Sequence, residues 1–193
     1  MSRIPPFRLL SPTLQLRHLT KVGILAALAL ACFAQPPSQT QLPPADELLD
    51  TLEIRNSALP LPNVLTAGQP TEEQLRQAAE LGFRTVINLR SEGEDLGFDE
   101  AAVATELGLE YLAIPISGAQ DLTPKAVETL SEALANAPTQ PVLLHCASSN
   151  RVGALLALKA QWLDGASTQE ALILGREAGL TRLEPAVTEM LSQ

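Results

Sequence analysis

The stretch that decides the predicted fold is Pro141-Val142-Leu143-Leu144-His145-Cys146-Ala147-Ser148-Ser149-Asn150-Arg151-Val152-Gly153. Its apolar run at 142–144 is typical of a buried strand, and the apolar residues from 152 to 158 indicate a buried helix. Small polar residues separate the two. A strand, a tight polar loop and a helix N-terminus make an anion site, because loop N–H groups and the helix dipole both favour negative charge there.

Two side chains with distinctive chemistry stand at the ends of this loop. Cys146 lies at its entrance, where a positive field favours the nucleophilic thiolate over the thiol. Arg151 lies at its exit, and a guanidinium can hold a phosphate or another oxyanion through two parallel hydrogen bonds. The pattern therefore predicts a nucleophile and an anion clamp within one loop.

The rest of the chain alternates between strand and helix patterns. Strands are predicted within 63–70 and at 84–89, 111–116 and 142–144, and helices at 71–81, 100–107, 123–134, 152–163, 168–177 and 181–191. This alternation predicts an α/β domain with a mostly parallel central sheet flanked by helices. Open sheets of this class bind ligands at the carboxyl ends of their strands, which is where the loop after residue 145 would lie.

Residues 1–34 have the pattern of an export signal, followed by a Pro/Gln-rich linker and N-terminal extension at 35–60 and a single domain at 61–193. Four basic residues precede an apolar stretch of ten residues at 22–31. Cleavage after Ala34 would release a soluble protein, and cleavage before Cys32 would leave a lipidated cysteine. An uncleaved leader is the remaining alternative. The expected location is the periplasm or cell envelope.

Composition and charge exclude several classes of function. The chain is 46% hydrophobic but only 3% aromatic, which predicts a globular core of aliphatic side chains. Its formal net charge is −9, and loss of the four basic leader residues would make it −13, which disfavours nucleic acid or an anionic membrane surface as a partner. Membrane contact is expected only through an N-terminal lipid or uncleaved leader. Two histidines, one of them in the leader, predict no metal site, and no nucleotide-binding loop or other cofactor is predicted.

The order of motifs resembles the protein tyrosine phosphatase superfamily, most of all its dual-specificity branch. His145-Cys146, a short loop and Arg151 at a strand-to-helix turn carry the resemblance, together with GFRTVINLR at 82–90 and YLAIPI at 111–116. The loop HCASSNRVGAL at 145–155 and the segment LTAGQPT at 65–71 look like a bacterial group of phosphatase-like domains. Relatives in that group are fused to NAD kinases or to beta-lactamase-like hydrolases.

This resemblance implies a metal-independent phosphatase acting on a phosphorylated protein or small molecule. Cys146 would attack phosphorus to form a cysteinyl-phosphate, Arg151 would clamp the phosphate, and Asp121 would be the general acid. The loop residues implied to bind the substrate are His145, Ala147, Ser148, Ser149, Asn150 and Arg151. The resemblance further implies that His145 hydrogen-bonds the loop backbone.

Three departures keep alternatives open. Four residues separate Cys146 from Arg151 where the usual phosphatase loop has five. The bacterial phosphatase-like group and the rhodanese sulfurtransferases both share this shorter spacing, so the spacing alone does not decide between them. Ser149 stands where such loops favour glycine, and Val152 replaces the usual Ser or Thr, whose hydroxyl Ser148 or Ser149 could supply instead. The alternatives are a sulfurtransferase carrying a persulfide on Cys146 and a catalytically weak phosphate-binding module.

An acidic loop follows the strand at 84–89. Its carboxylates are interpreted as a solvated face and as reserve candidates for the general acid: Glu92, Glu94, Asp95 and Asp99. Arg90 is predicted to form a buried salt bridge with this loop, and Asn88 to hydrogen-bond loop backbone.

Overall fold

A computed structural model describes residues 42–95 and 97–193. Their elements, in chain order, are α1 (Ala45–Leu52), β1 (Ala58–Leu61), β2 (Val64–Ala67), α2 (Glu72–Glu80), β3 (Thr85–Asn88), α3 (Glu100–Glu106), β4 (Glu110–Ala113), a 3-10 turn (Ala119–Asp121), α4 (Pro124–Asn136), β5 (Val142–His145), α5 (Asn150–Trp162), α6 (Thr168–Glu177) and α7 (Glu184–Leu191). The predicted leader, including Cys32, lies outside the described residues. No helix within the described ranges is long and apolar enough to cross a bilayer.

The strands form one sheet in the order β1-β2-β5-β3-β4. Strands β2, β5, β3 and β4 run parallel, and β1 is an antiparallel edge strand. This confirms the predicted α/β class with a mostly parallel sheet. His145 pairs with Ala67 on one side and with Asn88 on the other, so the loop after β5 leaves the middle of the sheet's carboxyl edge.

Successive side chains of β5 enter different halves of the core, as strand geometry requires. Leu143 packs with residues of α1, α2 and α3, whereas Leu144 packs with residues of α4, α5, α6 and α7. Cys146 continues the second set and is fully buried. The alternation therefore places Cys146 and His145 on opposite sides of the sheet.

Residues 45–61 pack onto the sheet, within the part of the chain that the sequence assigned to a linker and N-terminal extension. Leu48 and Leu52 of α1 are buried against α2 and the sheet, and Ile54 follows them into the same cluster. Burying one such side chain contributes about 2 kcal/mol. The Pro-rich sequence before α1 suggested an extension, but the apolar stripe of this short helix covers one face of the sheet.

Local capping explains where two helices begin. Thr71 and Gln74 exchange side-chain and backbone hydrogen bonds of 3.2 and 2.9 Å, which confirms the predicted start of α2. The Thr123 hydroxyl accepts from Ala126 N–H at 3.2 Å, and Pro124 is the first residue of α4.

Helices α5 and α6 pack closely at Gly153. A Cβ on this residue would lie 2.3 Å from Leu180 N and 2.4 Å from Gly175 O, so only glycine fits. The close approach brings the segment after α6, residues 178–183, beside the N-terminal end of α5.

Candidate active site

A cavity of about 480 Å³ lies at the carboxyl edge of the sheet. The loop after β5, the acidic loop after β3 and the segment after α6 all contribute to it. Its lining residues are Ser91, Glu94, Ser117, Gly118, Ala147, Ser148, Asn150, Arg151, Arg182 and Leu183. Four of the predicted loop residues therefore line one cavity, which has the size of small-molecule pockets.

The backbone of the loop is turned so that its carbonyl groups face away from the cavity. Ala147 O accepts hydrogen bonds from the Arg55 guanidinium and from Gln69 N–H, the latter at 3.4 Å. Ser148 O accepts from Asn56 Nδ2 at 3.2 Å. Because the C=O and N–H of a trans peptide point in opposite directions, these contacts turn the following N–H groups away from residues 55 and 56.

Unpaired N–H groups occur in the loop for which the sequence pattern predicts an anion cradle. Within the described part of the chain, the backbone N–H groups of Ala147, Ser148, Asn150 and Arg151 donate to no acceptor. The last two belong to the first turn of α5, where intrahelical partners are absent by geometry. Several unpaired N–H groups at one helix N-terminus favour an oxyanion.

Arg151 is held by two acceptors and leaves one edge available. Its Nη1 donates to Glu94 Oε1 and to Ile116 O, both at 2.6 Å, and its Nη2 donates to Glu94 Oε2 at 2.9 Å. A guanidinium has five N–H donors. The Nε–H and the second Nη2–H lie on one edge, and Cys146 is the one further described side chain that interacts with the guanidinium. That edge has the parallel donors that fit a phosphate.

Glu94 is the central carboxylate of the acidic loop, not part of a solvated face, and the interpretation of it as solvent-exposed was wrong. Besides Arg151 it accepts from Ser91 N and Oγ, at 2.8 and 2.7 Å, and from Arg90 Nε at 3.1 Å. The hydrogen bond from Arg151, ahead of those from Ser91, lowers the pKa of Glu94 far below its ordinary value of 4.5. Glu94 is therefore an ionised acceptor and a poor proton donor.

The same loop confirms two smaller predictions. Arg90, whose side chain is only 12% exposed, forms its predicted ion pair with Glu94. Asn88 Oδ1 accepts from Arg90 N–H at 2.8 Å, as expected for a side chain that supports loop backbone. Asp99 instead caps α3 by accepting from Ala102 N–H at 3.0 Å.

Cys146 lies near Arg151 but does not line the cavity, and its side chain is fully buried. The pKa of Arg151 is raised, first by its hydrogen bond to Glu94 and then, against the effect of burial, by its interaction with the Cys146 side chain. The two predicted catalytic side chains are thus neighbours, although only the guanidinium reaches the cavity.

His145 belongs to a buried network on the other face of the sheet. Its Nε2 lies 2.8 Å from Glu100 Oε1, and both side chains are fully buried. Asn88 Nδ2 lies 2.9 Å from both Glu100 Oε2 and Tyr111 Oη. His145 Nδ1 has no hydrogen-bond partner among the described residues, so the implied bond from His145 to the loop backbone was wrong.

Ser149 and Asn150 direct their side chains to the segment at 178–183. Ser149 has φ +64°, the left-handed conformation for which glycine was expected, and its hydroxyl donates to Ala178 O at 2.8 Å. Asn150 Oδ1 accepts from Thr181 N, Thr181 Oγ1 and Leu183 N at 2.8, 3.0 and 3.2 Å. These two residues therefore join the loop to the segment after α6.

Of the loop positions considered for a hydroxyl, which are 148, 149 and 152, Ser148 alone offers an unbonded one in the described part of the chain. Val152 is buried and has none, and the Ser149 hydroxyl is bonded to Ala178. Ser148 lines the cavity, and its side chain makes no hydrogen bond within the described part of the chain. Of the two serines suggested by the sequence as replacements, Ser148 is the one positioned for this role.

Asp121 braces the loop that follows β4. Its Oδ2 accepts from Ser117 N–H at 2.7 Å and from Gln120 Nε2 at 3.2 Å. Ser117 and Gly118 line the cavity, but Asp121 does not. Its role as general acid stays a prediction.

Four residues in or around the site were not predicted from the sequence to contribute to it. Glu100 gave no signal beyond its place in a helix, and Arg55 and Asn56 fell in the supposed extension. Arg182 follows α6 in a chain of net negative charge, and that isolated positive charge was the available signal. Among the described residues, no cluster of three potential metal ligands occurs.

Comparisons with known proteins identify the family and the fold. The sequence signature of the phosphatase-like domain of beta-lactamase hydrolase-like proteins matches residues 61–162. The beta-lactamase hydrolase-like protein of Xylella fastidiosa (strain Temecula1) is 35% identical over 103 residues, which are 51% of this chain and 23% of that protein. The chain thus matches about a quarter of the length of its curated relatives.

Solved structures share the fold. A Shewanella putrefaciens CN-32 protein described as a candidate phosphatase (DUF442) superposes with a TM-score of 0.59 and 24% identity, over 76% of this chain and 95% of the other. P. aeruginosa TpbA superposes with a TM-score of 0.53 and 18% identity, over 72% and 84%. The fold is that of the cysteine phosphatases, and the chain belongs to the family of phosphatase-like domains of beta-lactamase hydrolase-like proteins.

Proposed function

We propose that this protein is a cysteine-dependent phosphatase that hydrolyses a phosphomonoester. One observation carries the proposal: unpaired loop N–H groups and the open edge of Arg151 border a single cavity beside Cys146. Such preorganised donors stabilise the charge on a transferring phosphoryl group more than they stabilise the free ester.

The reaction proceeds in two displacements. The Cys146 thiolate attacks phosphorus, an S–P bond forms, and the P–O bond to the leaving group breaks. Asp121 gives its proton to the departing oxygen. Water then attacks the cysteinyl-phosphate, the S–P bond breaks, and the water proton passes to the Asp121 carboxylate. Inorganic phosphate leaves and the thiolate is restored.

A second candidate function is phosphate binding without turnover. Full burial of Cys146 favours it, because a nucleophile must reach the phosphorus atom, and the buried Val152 offers no hydroxyl to the leaving thiolate. The sulfurtransferase alternative loses its main support, since a phosphatase-like family accounts for the four-residue loop.

Hydrolysis of an aryl phosphate by the full chain, under reducing conditions, separates these functions. We expect turnover that Cys146→Ser abolishes and Arg151→Lys lowers at least about a hundredfold, because lysine lacks the parallel donors. Arg84→Ala, which removes an exposed arginine bonded to Phe83 O, is the matched control. Phosphate binding without turnover, lost in Arg151→Ala, would establish the second function. If the protein neither binds phosphate nor hydrolyses the ester, both proposed functions are overturned. Formation of thiocyanate from thiosulfate and cyanide would instead support the sulfurtransferase alternative.

The finer assignments are also proposals. Phosphotyrosine and phosphoserine peptides, compared by kcat/KM, test the tyrosine or dual-specificity subtype. Cell fractionation tests export to the periplasm or envelope, and fatty-acid labelling that disappears in Cys32→Ser tests lipidation. Cytoplasmic protein of full length would contradict the export proposal.

A further inference from the structure

A second cation lies at the cavity. Nine Lys and Arg side chains occur in the described residues, and seven of them form a hydrogen bond or ion pair with another described residue. The two that make none within the described part are Lys125 and Arg182. Of these, only Arg182 lines the cavity beside Arg151.

Hydrogen bonds from the end of the loop after β5 fix the backbone on both sides of Arg182. Asn150 Oδ1 accepts from Thr181 N–H before it and from Leu183 N–H after it, at 2.8 and 3.2 Å. The Ser149 hydroxyl holds Ala178 O at 2.8 Å. The side chains of Ser149 and Asn150 therefore fix the position of the Arg182 backbone relative to the loop.

Within this cavity, no acidic side chain among the described residues is left to pair with Arg182. Glu94 is the single carboxylate among the lining residues, and it is already paired with Arg151 and Arg90. Arg182 also lines a neighbouring hollow together with Glu177, with which it forms no ion pair. An exposed arginine at the cavity raises the local positive potential in a chain whose formal net charge is −9. The cavity, at about 480 Å³, is also much larger than a phosphate group requires.

We infer that Arg182 binds a second anionic group of the substrate, so that the preferred substrate is a phosphomonoester carrying an additional carboxylate or phosphate. This inference rests on the proposed function, because it assumes that the scissile phosphate occupies the loop. Arg182 is then a specificity-determining residue, and Arg151 holds the phosphate that reacts.

Phenyl phosphates with a carboxylate at the 2-, 3- or 4-position test this inference against the carboxamides of the same shape. We expect the wild-type full chain to prefer at least one carboxylate over its carboxamide by about tenfold in kcat/KM, the value of one charge-assisted hydrogen bond. Arg182→Gln should abolish the preference, Arg182→Lys should keep part of it, and Arg176→Ala, an exposed arginine paired with Glu184, should keep all of it.

Calorimetric binding of the same esters to Cys146→Ser gives a readout that does not need turnover. If Cys146→Ser binds the carboxylates more tightly than the carboxamides, and Arg182→Gln removes that preference, the subsite is supported. This holds even if the wild-type protein hydrolyses none of the esters. Lack of hydrolysis would refute only the phosphatase proposal. If Arg182→Gln lowers the affinity for carboxylates and carboxamides by the same factor, the inference is overturned, since Arg182 would then contact the phosphate itself. No carboxylate preference at any ring position would overturn it as well.

Discussion

Glu94 binds Arg151 through both carboxylate oxygens, at 2.6 and 2.9 Å, and so leaves the adjacent Nε–Nη2 edge of the guanidinium for another acceptor. The two residues are 57 positions apart in the chain. A charged pair of this geometry fixes a long side chain in one orientation before any anion binds.

Replacement of Glu94 should therefore weaken phosphate recognition. We expect Glu94→Gln to lower kcat/KM for an aryl phosphate by about 30-fold, which corresponds to about 2 kcal/mol, because Arg151 loses its fixed orientation. Glu92→Gln, an exposed neighbour with the same charge, should have no effect. Equal activities of the two variants would show that Arg151 needs no support from Glu94.

The same carboxylate should make stability depend on pH. Because folding lowers the pKa of Glu94, the unfolded chain binds more protons below about pH 4.5, and the stabilisation from Glu94 is lost as pH falls. We expect the difference in unfolding free energy between the wild type and Glu94→Gln to be constant above about pH 5.5 and to shrink below that. Urea denaturation at pH 7, 6, 5 and 4 measures it. A difference that grows toward low pH would contradict the assignment.

The segment before β1 should contribute to anion binding although it is remote in sequence. Arg55→Ala leaves Ala147 O with only the longer hydrogen bond from Gln69 N–H, and the loop N–H groups lose part of their fixed direction. We expect about tenfold weaker binding of inorganic phosphate, the value of one hydrogen bond to a charged donor. Arg84→Ala removes a comparable arginine–carbonyl contact elsewhere and should leave phosphate affinity unchanged. Retention of full affinity in Arg55→Ala would mean that the loop is rigid without this contact.

The buried pair of His145 and Glu100 should matter for stability. Glu100→Ala removes the carboxylate that lies 2.8 Å from His145 Nε2 and accepts from Asn88 Nδ2, and such a loss inside a core costs about 3 kcal/mol. Glu106→Ala removes an exposed carboxylate from the same helix and should cost less than about 1 kcal/mol. Thermal and urea unfolding of both variants provide the comparison. Similar losses for the two would refute a structural role for the buried pair.

The sequence predicted what depends on nearby residues. The strand–loop–helix unit around Cys146, the alternation of strands and helices, and the cap at Thr71 follow from local patterns and are present in the structure. The pairing of Arg90 with its own loop spans only four positions and was also predicted.

The residues that the sequence missed act across long separations. Arg55 contacts a carbonyl 92 positions away, and Glu94 contacts Arg151 only because β3 and β5 are neighbours in the sheet. In the sequence, Glu94 is one of several acids in a polar loop, and such runs are usually solvated. Strand order is needed to distinguish it from its neighbours.

Ser149 has one further consequence, for engineering. Glycine would suit its left-handed backbone and would bring the loop closer to the common phosphatase pattern. The same exchange would remove the hydroxyl bonded to Ala178 O and loosen the segment that carries Arg182. Attempts to speed up catalysis by redesigning this loop would therefore alter substrate choice at the same time, and the two traits would have to be optimised together.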